Sequence, residues 1–413
     1  MGIGEKFLEA LAASVKKETV AWTELSEKEW RQLFRLASKQ QVLPLIYEAV
    51  CQCPAAKSEP ELLETCRKKV FKEVARQVKR TKNFLEVYQK ICAKGVFPLV
   101  MKGMICRNLY PHPDSRPSLD EDILILEEQF QTVHQILAEE GLRLMEPEEK
   151  PDEAYEVSYK KEGSYLYIEL HKYLFPKDSE AYGEFNRFFE GVHERAILET
   201  IQGVPVYTLD YTDHLLYLIC HAIKHFLHSG VGVRQVCDIA IFSNAYGKQI
   251  DWDAVFLNCK DIHAEKLVAA MFRIGEKYLG FDAEKACYPA KWRAMETDET
   301  ALLRDMLEGG ITGNSGKSRL HSSTITLNAV SEYKKGKQAK PVWMKSIFPP
   351  ASHLTGKYQY LGKYPFLLPI AWADRIVKYG KEIRKSPKNQ PGKSIEIANQ
   401  RIELMKEYGI IED

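Results

Sequence analysis

The amino-acid sequence predicts an α/β (α+β) fold in which a small mixed β-sheet lies between an N-terminal and a C-terminal helical region. Apolar side chains recur close to the helical period over 61–94 and again over 211–230. Between these two stretches, short apolar runs alternate with turn residues, which is typical of β-strands. The pattern divides the chain into four regions: a helical region (1–95), a sheet-containing domain (96–210), a helical domain (211–310), and a linker with a helical tail (311–413).

The first region shows two helix-boundary signals. Ser26 and Glu29 have the spacing of a capping box, in which each side chain binds the other residue's backbone N–H, so a helix is expected to begin after Ser26. Gly95 follows the apolar period of 61–94, and glycine commonly occupies the left-handed position that ends a helix. The first strand is therefore expected soon after Gly95.

The elements of the sheet-containing domain are predicted from apolar runs and the turns between them. Residues 155–161 and 165–171 flank Glu162-Gly163-Ser164 and form a predicted β-hairpin. The other expected elements are strands over 97–101, 121–126 and 204–209, a short helix over 104–110 and a helix over 130–140.

The C-terminal part of the chain is predicted to be helical with one interruption. Residues 211–230 show a strong helical period and 252–279 a weaker one. Residues 310–345 are polar and contain Gly, Ser, Thr and Lys, so we expect a long loop or linker there. Two further helices are expected near 366–385 and 393–407.

The composition limits the class of protein. The formal net charge is +1, and a protein that mainly coats nucleic acid usually has a basic excess, so the whole sequence carries no strong nucleic-acid signature. Nine cysteines without a CxxC pair disfavour a disulfide framework and a zinc site, and predict reduced thiols. No apolar signal segment is found, and the apolar stretch 364–377 contains two prolines and an Asp. We expect a cytoplasmic protein without a membrane span.

The segment 96–126 carries the clearest functional signal. One apolar run ends in Lys102-Gly103, and Asp120-Glu121-Asp122 opens the next. Successive side chains of a β-strand point to opposite faces, so Asp120 and Asp122 should share a face while Glu121 points away. Neighbouring carboxylates repel each other unless a cation lies between them, and oxygen ligands of this kind suit Mg²⁺ together with substrate phosphates. The pattern predicts metal-assisted phosphoryl or nucleotidyl transfer.

Four motifs together resemble a family of uncharacterised bacterial nucleotidyltransferases within the DNA polymerase beta-like nucleotidyltransferase superfamily. The hallmark of that family is an apolar strand ending in Lys-Gly, then Tyr-Pro, Arg, Asp-x-Asp, and a strand with Glu-Leu-His or Asp-Leu-His. The corresponding motifs here are LVMKG (99–103), LYPHPDSRP (109–117), DEDIL (120–124) and IELHKYL (168–174). The resemblance covers 96–175 and extends more loosely through the helices of 213–242.

The resemblance implies a small mixed-sheet nucleotidyltransferase core and a Mg²⁺-dependent reaction. Asp120, Asp122 and Glu169 would be the catalytic, metal-binding acids and would hold two Mg²⁺ ions, with Mn²⁺ as the alternative ion. The reaction would move an NMP from an NTP onto an acceptor hydroxyl or phosphate and release pyrophosphate. The expected partners are an NTP and an acceptor whose identity stays open among a small molecule, a protein and an RNA.

Nucleotide-binding residues are expected next to these acids. Lys102, Gly103 and Arg116 would contact the phosphates, because Lys and Arg offset phosphate charge and glycine allows a close backbone approach. The superfamily has Gly-Ser where this chain has Lys102-Gly103. A serine hydroxyl is therefore missing at that turn, and Ser118 is the candidate to supply one.

The helix predicted over 211–230 carries a second group of candidate residues. His214, His221 and His225 are spaced by seven and four residues, so they share one face of the helix, with Lys224 beside them. In related nucleotidyltransferases the helical domain closes the nucleotide cleft, which implies that His221, Lys224 and His225 bind the nucleotide. A face of hydrogen-bonded core histidines is the alternative.

Other functions fit parts of the same sequence. A non-catalytic nucleotide-binding or scaffold protein of the same fold is compatible with Lys-Gly in place of Gly-Ser. A metal-dependent phosphohydrolase would use the His/Asp cluster of 214–238, with Asp238 as its carboxylate. Tight zinc or iron would indicate the phosphohydrolase, and weak Mg²⁺ or Mn²⁺ the acids of 120–169. An enzyme that adds nucleotides to tRNA is a further hypothesis, which an acceptor screen would test.

Overall fold

The computed structural model describes residues 2–145, 151–309, 317–336, 351, 354, 356–385 and 391–412. The predicted mixed α/β architecture is confirmed. The strands are β1 (Leu99–Met101), β2 (Glu121–Leu124), β3 (Leu142–Leu144), β4 (Glu156–Lys161), β5 (Tyr167–His171), β6 (Ile197–Ile201) and β7 (Val204–Thr208). They form one seven-stranded sheet in the order β3-β4-β5-β2-β1-β7-β6.

The centre of this sheet is mixed in direction. β2 pairs antiparallel with β1 on one side and parallel with β5 on the other. β4 and β5 form the predicted hairpin, and β6 and β7 form another. In the parallel pair, Asp122 of β2 lies opposite Glu169 of β5. Register alone therefore brings two of the predicted acids together.

Helices surround the sheet. Those that precede α7 in the chain are α1 (Ile3–Val15), α2 (Glu27–Lys39), α3 (Leu43–Val50), α4 (Pro60–Ala93), α5 (Gly103–Arg107) and α6 (Phe130–Glu139). The described helices that follow are α7 (Tyr211–His228), α8 (Val233–Tyr246), α9 (Trp252–Asp261), α10 (Glu265–Tyr278), α11 (Ala290–Arg293), α12 (Thr300–Gly309), α13 (Lys317–Lys334), α14 (Leu368–Lys385) and α15 (Pro391–Glu407).

The predicted helix-boundary signals are confirmed. Ser26 Oγ accepts a hydrogen bond from the Glu29 backbone N–H, and the Glu29 carboxylate accepts one from the Ser26 N–H at 3.0 Å, which completes the capping box of α2. Gly95 ends the long helix α4 with φ of +80°, a conformation that favours glycine. Asp210 caps α7 by accepting a hydrogen bond from the Asp213 N–H at 2.8 Å.

The loop expected over 310–345 is wrong for its middle part, because α13 is a helix. Its sequence has little apolar periodicity, and its polar side chains are instead satisfied by other parts of the fold. Thr326 is fully buried, and its hydroxyl donates to the Leu227 carbonyl oxygen at 2.7 Å. Arg319 forms an ion pair with Asp305 at 2.6 Å. Residues 310–316 and 337–345 lie outside the described residues.

Two strands were not predicted, β3 and β6. β3 has three residues, which is too short to show alternation. The burial of β6 alternates along the strand, but its sequence ILETI does not, because the apolar Leu198 lies on the outer face and is 58% exposed. The other predicted strands and helices agree with the structure to within a few residues.

The buried apolar side chains form one main cluster that includes residues of the N-terminal helices, the sheet and the helices that follow it. The four-region division of the chain stays a prediction. No helix within the described ranges combines the length and the apolar character that a bilayer crossing requires.

Candidate active site

A cavity of about 300 Å³ lies between the sheet and the helices α7 and α8. The sheet contributes the turn after β1, the start of β2 and the middle of β5. All ten residues for which the sequence predicts a catalytic or nucleotide-binding role line this cavity. They come from four separate stretches of the chain: 102–103, 116–122, Glu169 and 221–225.

Asp122 and Glu169 form a pair of like charges on one face of the sheet. They are direct cross-strand neighbours, an arrangement that destabilises a sheet when both groups are ionised. Burial and the charge of Asp122 raise the pKa of Glu169 to about 9. Asp120 lines the same cavity, while Glu121 is fully buried on the other face and binds Arg107 at 2.8 Å. The alternation of this segment is therefore as predicted.

Lys102 is the residue that neutralises Asp122. Its Nζ lies 2.6 Å from Asp122 Oδ1 and 3.2 Å from His221 Nε2. Burial would lower the pKa of Lys102, but the charge of Asp122 and the other acids of the cavity raises it well above its ordinary value. Burial likewise opposes ionisation of Asp122, yet Lys102 and His171 hold the pKa of this carboxyl well below its usual range.

The backbone at Lys102 is strained. Its φ is +46° and its ψ is −111°, a conformation that favours glycine and that costs a lysine about 1–3 kcal/mol. The strain puts the side chain of Lys102 into the cavity immediately after β1 and before α5. Strain of this kind persists only where the surrounding structure holds it, and it is concentrated at functional sites.

Three side chains of this cavity have the geometry of a metal site. Ligand atoms of Asp122, Glu169 and His171 all lie within 4.8 Å of one another. Two carboxylates and one imidazole suit a divalent cation of the Mn²⁺ or Mg²⁺ type, with imidazole better matched to Mn²⁺. His171 Nε2 is also 3.1 Å from Asp122 Oδ1, close enough to orient that carboxylate by a hydrogen bond. Asp120 stands outside this close group, so the set of three differs from the predicted one by one residue.

Two histidines of α7 meet inside the cavity. His221 Nε2 and His225 Nε2 are 3.2 Å apart. Burial, with the charge of Lys102 second, lowers the pKa of His225 to about 3 and that of His221 well below its ordinary value. Both rings are therefore neutral near pH 7, and each presents a donor or acceptor nitrogen rather than a charge.

The cluster expected for a phosphohydrolase is not assembled. His214 does not line the cavity; its Nδ1 is 3.3 Å from the Thr208 hydroxyl and its ring packs on Phe242. Asp238 is bound by Arg116. Among the described residues, the group of Asp122, Glu169 and His171 is the one set of three or more His, Cys, Asp or Glu side chains with metal-binding proximity.

Two arginines in this cavity differ in how their charge is balanced. The Arg116 guanidinium forms a two-point ion pair with the Asp238 carboxylate, whose Oδ1 also accepts a hydrogen bond from the Tyr110 hydroxyl at 2.8 Å. Arg234 instead donates to two neutral groups, the Gln41 side-chain oxygen at 3.1 Å and the Pro117 carbonyl oxygen at 2.8 Å. No carboxylate of the described residues lies within ion-pair distance of Arg234.

Arg234 is therefore a partly buried cation without a carboxylate partner among the described residues. Its Nε has no hydrogen-bond partner in the described part of the chain. Burial, with the Arg116 charge second, lowers the pKa of Arg234 to about 10, so the side chain is charged near pH 7. A buried charge of this kind is costly unless a ligand completes it.

Lys224 is a second cation of this type. Its Nζ is 3.4 Å from the Tyr155 hydroxyl and 5.7 Å from the centroid of the Tyr155 ring. Burial lowers the pKa of Lys224, and the acids and the Lys102 charge act in opposite directions upon it. Lys224 and Arg234 project from α7 and α8, opposite the acids of the sheet.

Residues 26–280 match the model of a protein family described as uncharacterised nucleotidyltransferases. The chain belongs to this family. The matched range contains every strand of the sheet together with α7 and α8, and thus every residue that lines the cavity. No curated protein matches the chain.

The turn at Lys102-Gly103 departs from the Gly-Ser pattern, and the side chain of Ser118 lies against it. A Cβ at Gly103 would lie 2.4 Å from Ser118 Oγ, so the absence of a side chain at Gly103 makes room for Ser118. Ser118 Oγ donates to the Asp120 carbonyl oxygen at 2.7 Å. The hydroxyl of Ser118, fifteen residues after Gly103, thus lies beside the turn where the superfamily pattern has its serine.

Two residues that line this cavity, His171 and Arg234, were not among the predicted site residues. His171 lies two positions after Glu169 on the same face of β5, and this spacing is a signal that was visible in the sequence. Arg234 lies one helical turn before Asp238, also a visible spacing. Nothing in the sequence shows that Asp238 pairs with Arg116 and leaves Arg234 without a carboxylate.

Proposed function

We propose that this nucleotidyltransferase moves an NMP from an NTP to an acceptor hydroxyl or phosphate and releases pyrophosphate. The observation that carries the proposal is the opposition of unbalanced charges across one cavity. Asp122 and Glu169 lie side by side and need a cation, whereas Arg234 and Lys224 face them and need an anion. A complex of a divalent metal with a triphosphate supplies both charges at once.

The residues present fit the metal. Asp122 and Glu169, with Asp120 beside them, would hold two Mg²⁺ ions, with Mn²⁺ as the alternative ion. When bound, the ions stabilise the attacking and leaving oxygens of an in-line displacement. His171 would orient Asp122 through its Nε2, 3.1 Å from Asp122 Oδ1, or ligate the softer Mn²⁺.

The triphosphate would lie between the acids and the helical wall. Arg234 would be its main anchor, because its guanidinium is not neutralised by a carboxylate. Lys102 and Lys224 would bind further phosphate oxygens, and the neutral His221 and His225 would donate hydrogen bonds to phosphate, ribose or base. Ser118 would donate to a phosphate only after its hydroxyl turns away from the Asp120 carbonyl oxygen. Arg116 would contribute less than the sequence pattern suggests, since Asp238 already balances its charge.

The reaction itself is a displacement at the α-phosphorus. An acceptor oxygen forms a bond to that phosphorus while the bond to the bridging oxygen of the pyrophosphate breaks, and pyrophosphate leaves with the electron pair. When the acceptor is a hydroxyl, the ionised carboxylate of Glu169 takes its proton, and the raised pKa of Glu169 makes this carboxylate a stronger base than an ordinary one. The position of Glu169 next to Asp122, on the cavity face of β5, supports this role.

The site of action would be the cytoplasm. All nine cysteines carry free thiols in the described structure, which agrees with a reducing compartment.

Nucleotide binding tests the proposal. Isothermal titration calorimetry with each of the four NTPs, with and without Mg²⁺, is expected to show Mg²⁺-dependent binding that the double variant Asp120→Ala, Asp122→Ala loses. The double variant Glu127→Ala, Glu128→Ala, which removes two carboxylates just after β2 and outside this cavity, is the matched control and should bind as the wild type does.

The rival functions give different results in the same experiment. NTP binding that ignores Mg²⁺ and both acids would contradict the proposed reaction. Mg²⁺-dependent binding without pyrophosphate release across an acceptor screen would favour the non-catalytic nucleotide-binding protein of the same fold.

A further inference from the structure

A surface of cations and exposed rings lies on α4 and is not used by the nucleotide site. Lys72, Arg76 and Lys79 project from the solvent-facing side of α4, and no carboxylate of the described residues lies within 4.0 Å of their charged groups. Along the helix axis they are spaced by about 6 Å and about 4.5 Å. We call these three residues, together with Tyr165, the α4 platform.

Tyr165 is the ring of the α4 platform. It lies just before β5 and is 44% exposed. The Arg76 guanidinium is 5.3 Å and the Lys79 ammonium 5.9 Å from the centroid of the Tyr165 ring. Cations at these distances attract the ring and help to hold it in place, while nearly half of Tyr165 stays open to solvent. Phe71, also on α4, is 73% exposed.

The α4 platform is continuous with the rim of the active-site cavity. Arg80 Nε donates to the Tyr165 carbonyl oxygen at 2.9 Å, and Arg80 also donates to the Ser118 carbonyl oxygen. Gln77 Oε1 accepts a hydrogen bond from the Ser118 N–H at 2.9 Å. The next residue, Leu119, is 59% exposed and lines the cavity. A linear polymer bound to the α4 platform therefore passes over Leu119 to reach the acids of the cavity.

We propose that the acceptor is the end of a single-stranded nucleic acid, whose bases stack on Tyr165 and whose phosphates bind Lys72, Arg76 and Lys79. This inference rests on the proposed function, because it names the acceptor of the same site. An exposed aromatic ring beside cations that lack a carboxylate partner is the combination that non-specific single-strand binding uses. The terminal hydroxyl attacks the α-phosphorus, a phosphodiester forms, pyrophosphate leaves, and Glu169 receives the hydroxyl proton.

The near-zero net charge of the chain does not conflict with this surface. The formal net charge of +1 is an average over 58 basic and 57 acidic residues. The helix α4 alone carries nine Lys or Arg against four Glu. The basic surface is thus local, and it adjoins the catalytic cavity rather than covering the protein.

The same helix provides a matched control. Arg67, Lys68 and Lys82 are also exposed, but glutamates of α4 neutralise them: Glu64 lies 2.6 Å from Arg67 and 3.8 Å from Lys68, and Glu86 lies 4.0 Å from Lys82. Two triple variants therefore remove equal charge from one helix, Lys72→Gln, Arg76→Gln, Lys79→Gln in the platform and Arg67→Gln, Lys68→Gln, Lys82→Gln beside it. All six positions are exposed, so both variants should fold.

The test is fluorescence anisotropy of labelled oligonucleotides with the full chain. A twelve-nucleotide RNA, the DNA strand of the same sequence and the corresponding duplex are the probes. We expect single-strand binding that the platform variant weakens at least tenfold, that Tyr165→Ala weakens on the order of tenfold, and that the control variant leaves within about twofold. The dependence of log K on log salt should become shallower in the platform variant by about 0.7 for each lost phosphate contact.

Several outcomes would overturn the proposal: no binding of either single strand, equal loss in both triple variants, a preference for the duplex, or equally tight binding of polyglutamate or anionic vesicles. RNA bound more tightly than DNA, or the reverse, would identify the acceptor sugar and support the proposal. Calorimetry of NTP binding on the same variants separates the two hypotheses, because the platform lies outside the cavity and its variants should retain NTP affinity. A failure of NTP binding in the wild type would instead contradict the proposed function.

Discussion

Neighbouring acids on the two faces of strand β2 differ in how their charge is balanced. Glu121 is fully buried and forms an ion pair with one partner, Arg107, at 2.8 Å. Asp122, the next residue, shares its face with Glu169 and opens on the cavity. One face has its charge balanced by a single side chain, and the other has two carboxylates for one lysine.

The difference separates structural charge from functional charge. The buried pair of Glu121 and Arg107 balances its charge within the fold, although Glu121 Oε2 and Arg107 Nη1 make no hydrogen bond among the described residues. Removing either partner leaves a buried charge. The charges around Asp122 are balanced only when a ligand binds. The backbone of Lys102 is strained there, and the pKa of Glu169 is raised. Perturbations of the first face should act on stability, and those of the second on binding and catalysis.

The largest expected effect is that of Glu169→Gln on the reaction. Loss of this carboxylate removes a metal ligand and the proton acceptor, so pyrophosphate release should fall by on the order of a thousandfold. The thermal midpoint should stay the same or rise, because the repulsion between Glu169 and Asp122 is relieved. Stopped assays of pyrophosphate release and differential scanning calorimetry measure the two quantities. A stability loss as large as the activity loss would contradict the separation of the two faces.

Glu121→Gln should show the reverse pattern. It leaves Arg107 buried without a carboxylate, so the free energy of unfolding should fall by about 3–5 kcal/mol. The affinity for Mg²⁺-NTP, measured where the variant is folded, should not change. Urea unfolding checks the first expectation, and the double variant Arg107→Leu, Glu121→Leu serves as a control that should recover most of the loss. Weakened nucleotide binding by folded Glu121→Gln would show that the faces are coupled.

Arg234 and Arg116 show the same difference inside the cavity, since only Arg116 has a carboxylate partner. Arg234→Gln should lower NTP affinity by about 10- to 100-fold, the value of a charge-assisted hydrogen bond, without lowering the thermal midpoint. Arg116→Gln should lower the thermal midpoint, because Asp238 then lacks its partner, and should affect NTP affinity less. Calorimetric titration measures the NTP affinity of both variants, and thermal unfolding measures their stability. Equal losses of NTP affinity would contradict the claim that Arg234 is the main phosphate anchor.

The smallest expected effect concerns His214, which lies outside the cavity, and the pH dependence of stability tests it. Burial lowers the pKa of His214 to about 3, so the folded chain keeps this ring neutral while the unfolded chain protonates it below about pH 6.5. The stabilisation is present above pH 6.5 and is lost as the pH falls towards 3, by about 2 kcal/mol at pH 5. Thermal unfolding of wild type and His214→Gln between pH 5 and 7.5 should show a steeper pH dependence in the wild type. Parallel curves would mean that His214 makes no such contribution.

Local sequence signals predicted much of the fold and the membership of the site. The capping box at Ser26, the hairpin of β4 and β5 and the ten cavity residues follow from short-range patterns or from the motifs of the family. α13 did not follow, because its stability comes from contacts such as that of Thr326 with the Leu227 carbonyl oxygen rather than from apolar periodicity.

The pairing of charges within the site could not be predicted from the sequence either. Arg116 and Arg234 are both plausible phosphate ligands by residue type. Which of them is free depends on where Asp238 lies in three dimensions, and that position is fixed by the packing of α8 against α5 and by the hydrogen bond from Tyr110. Long-range pairing of this kind leaves no mark in local spacing.

The most direct test of the central claim is to count bound Mn²⁺ by electron paramagnetic resonance in the presence of a non-hydrolysable NTP analogue. The account predicts two nucleotide-dependent ions per chain in the wild type and in Glu121→Gln, and their loss in Asp122→Asn. Ions that persist in Asp122→Asn, or that disappear equally in Glu121→Gln, would contradict the assignment of the metal and the triphosphate to the Asp122 face of β2.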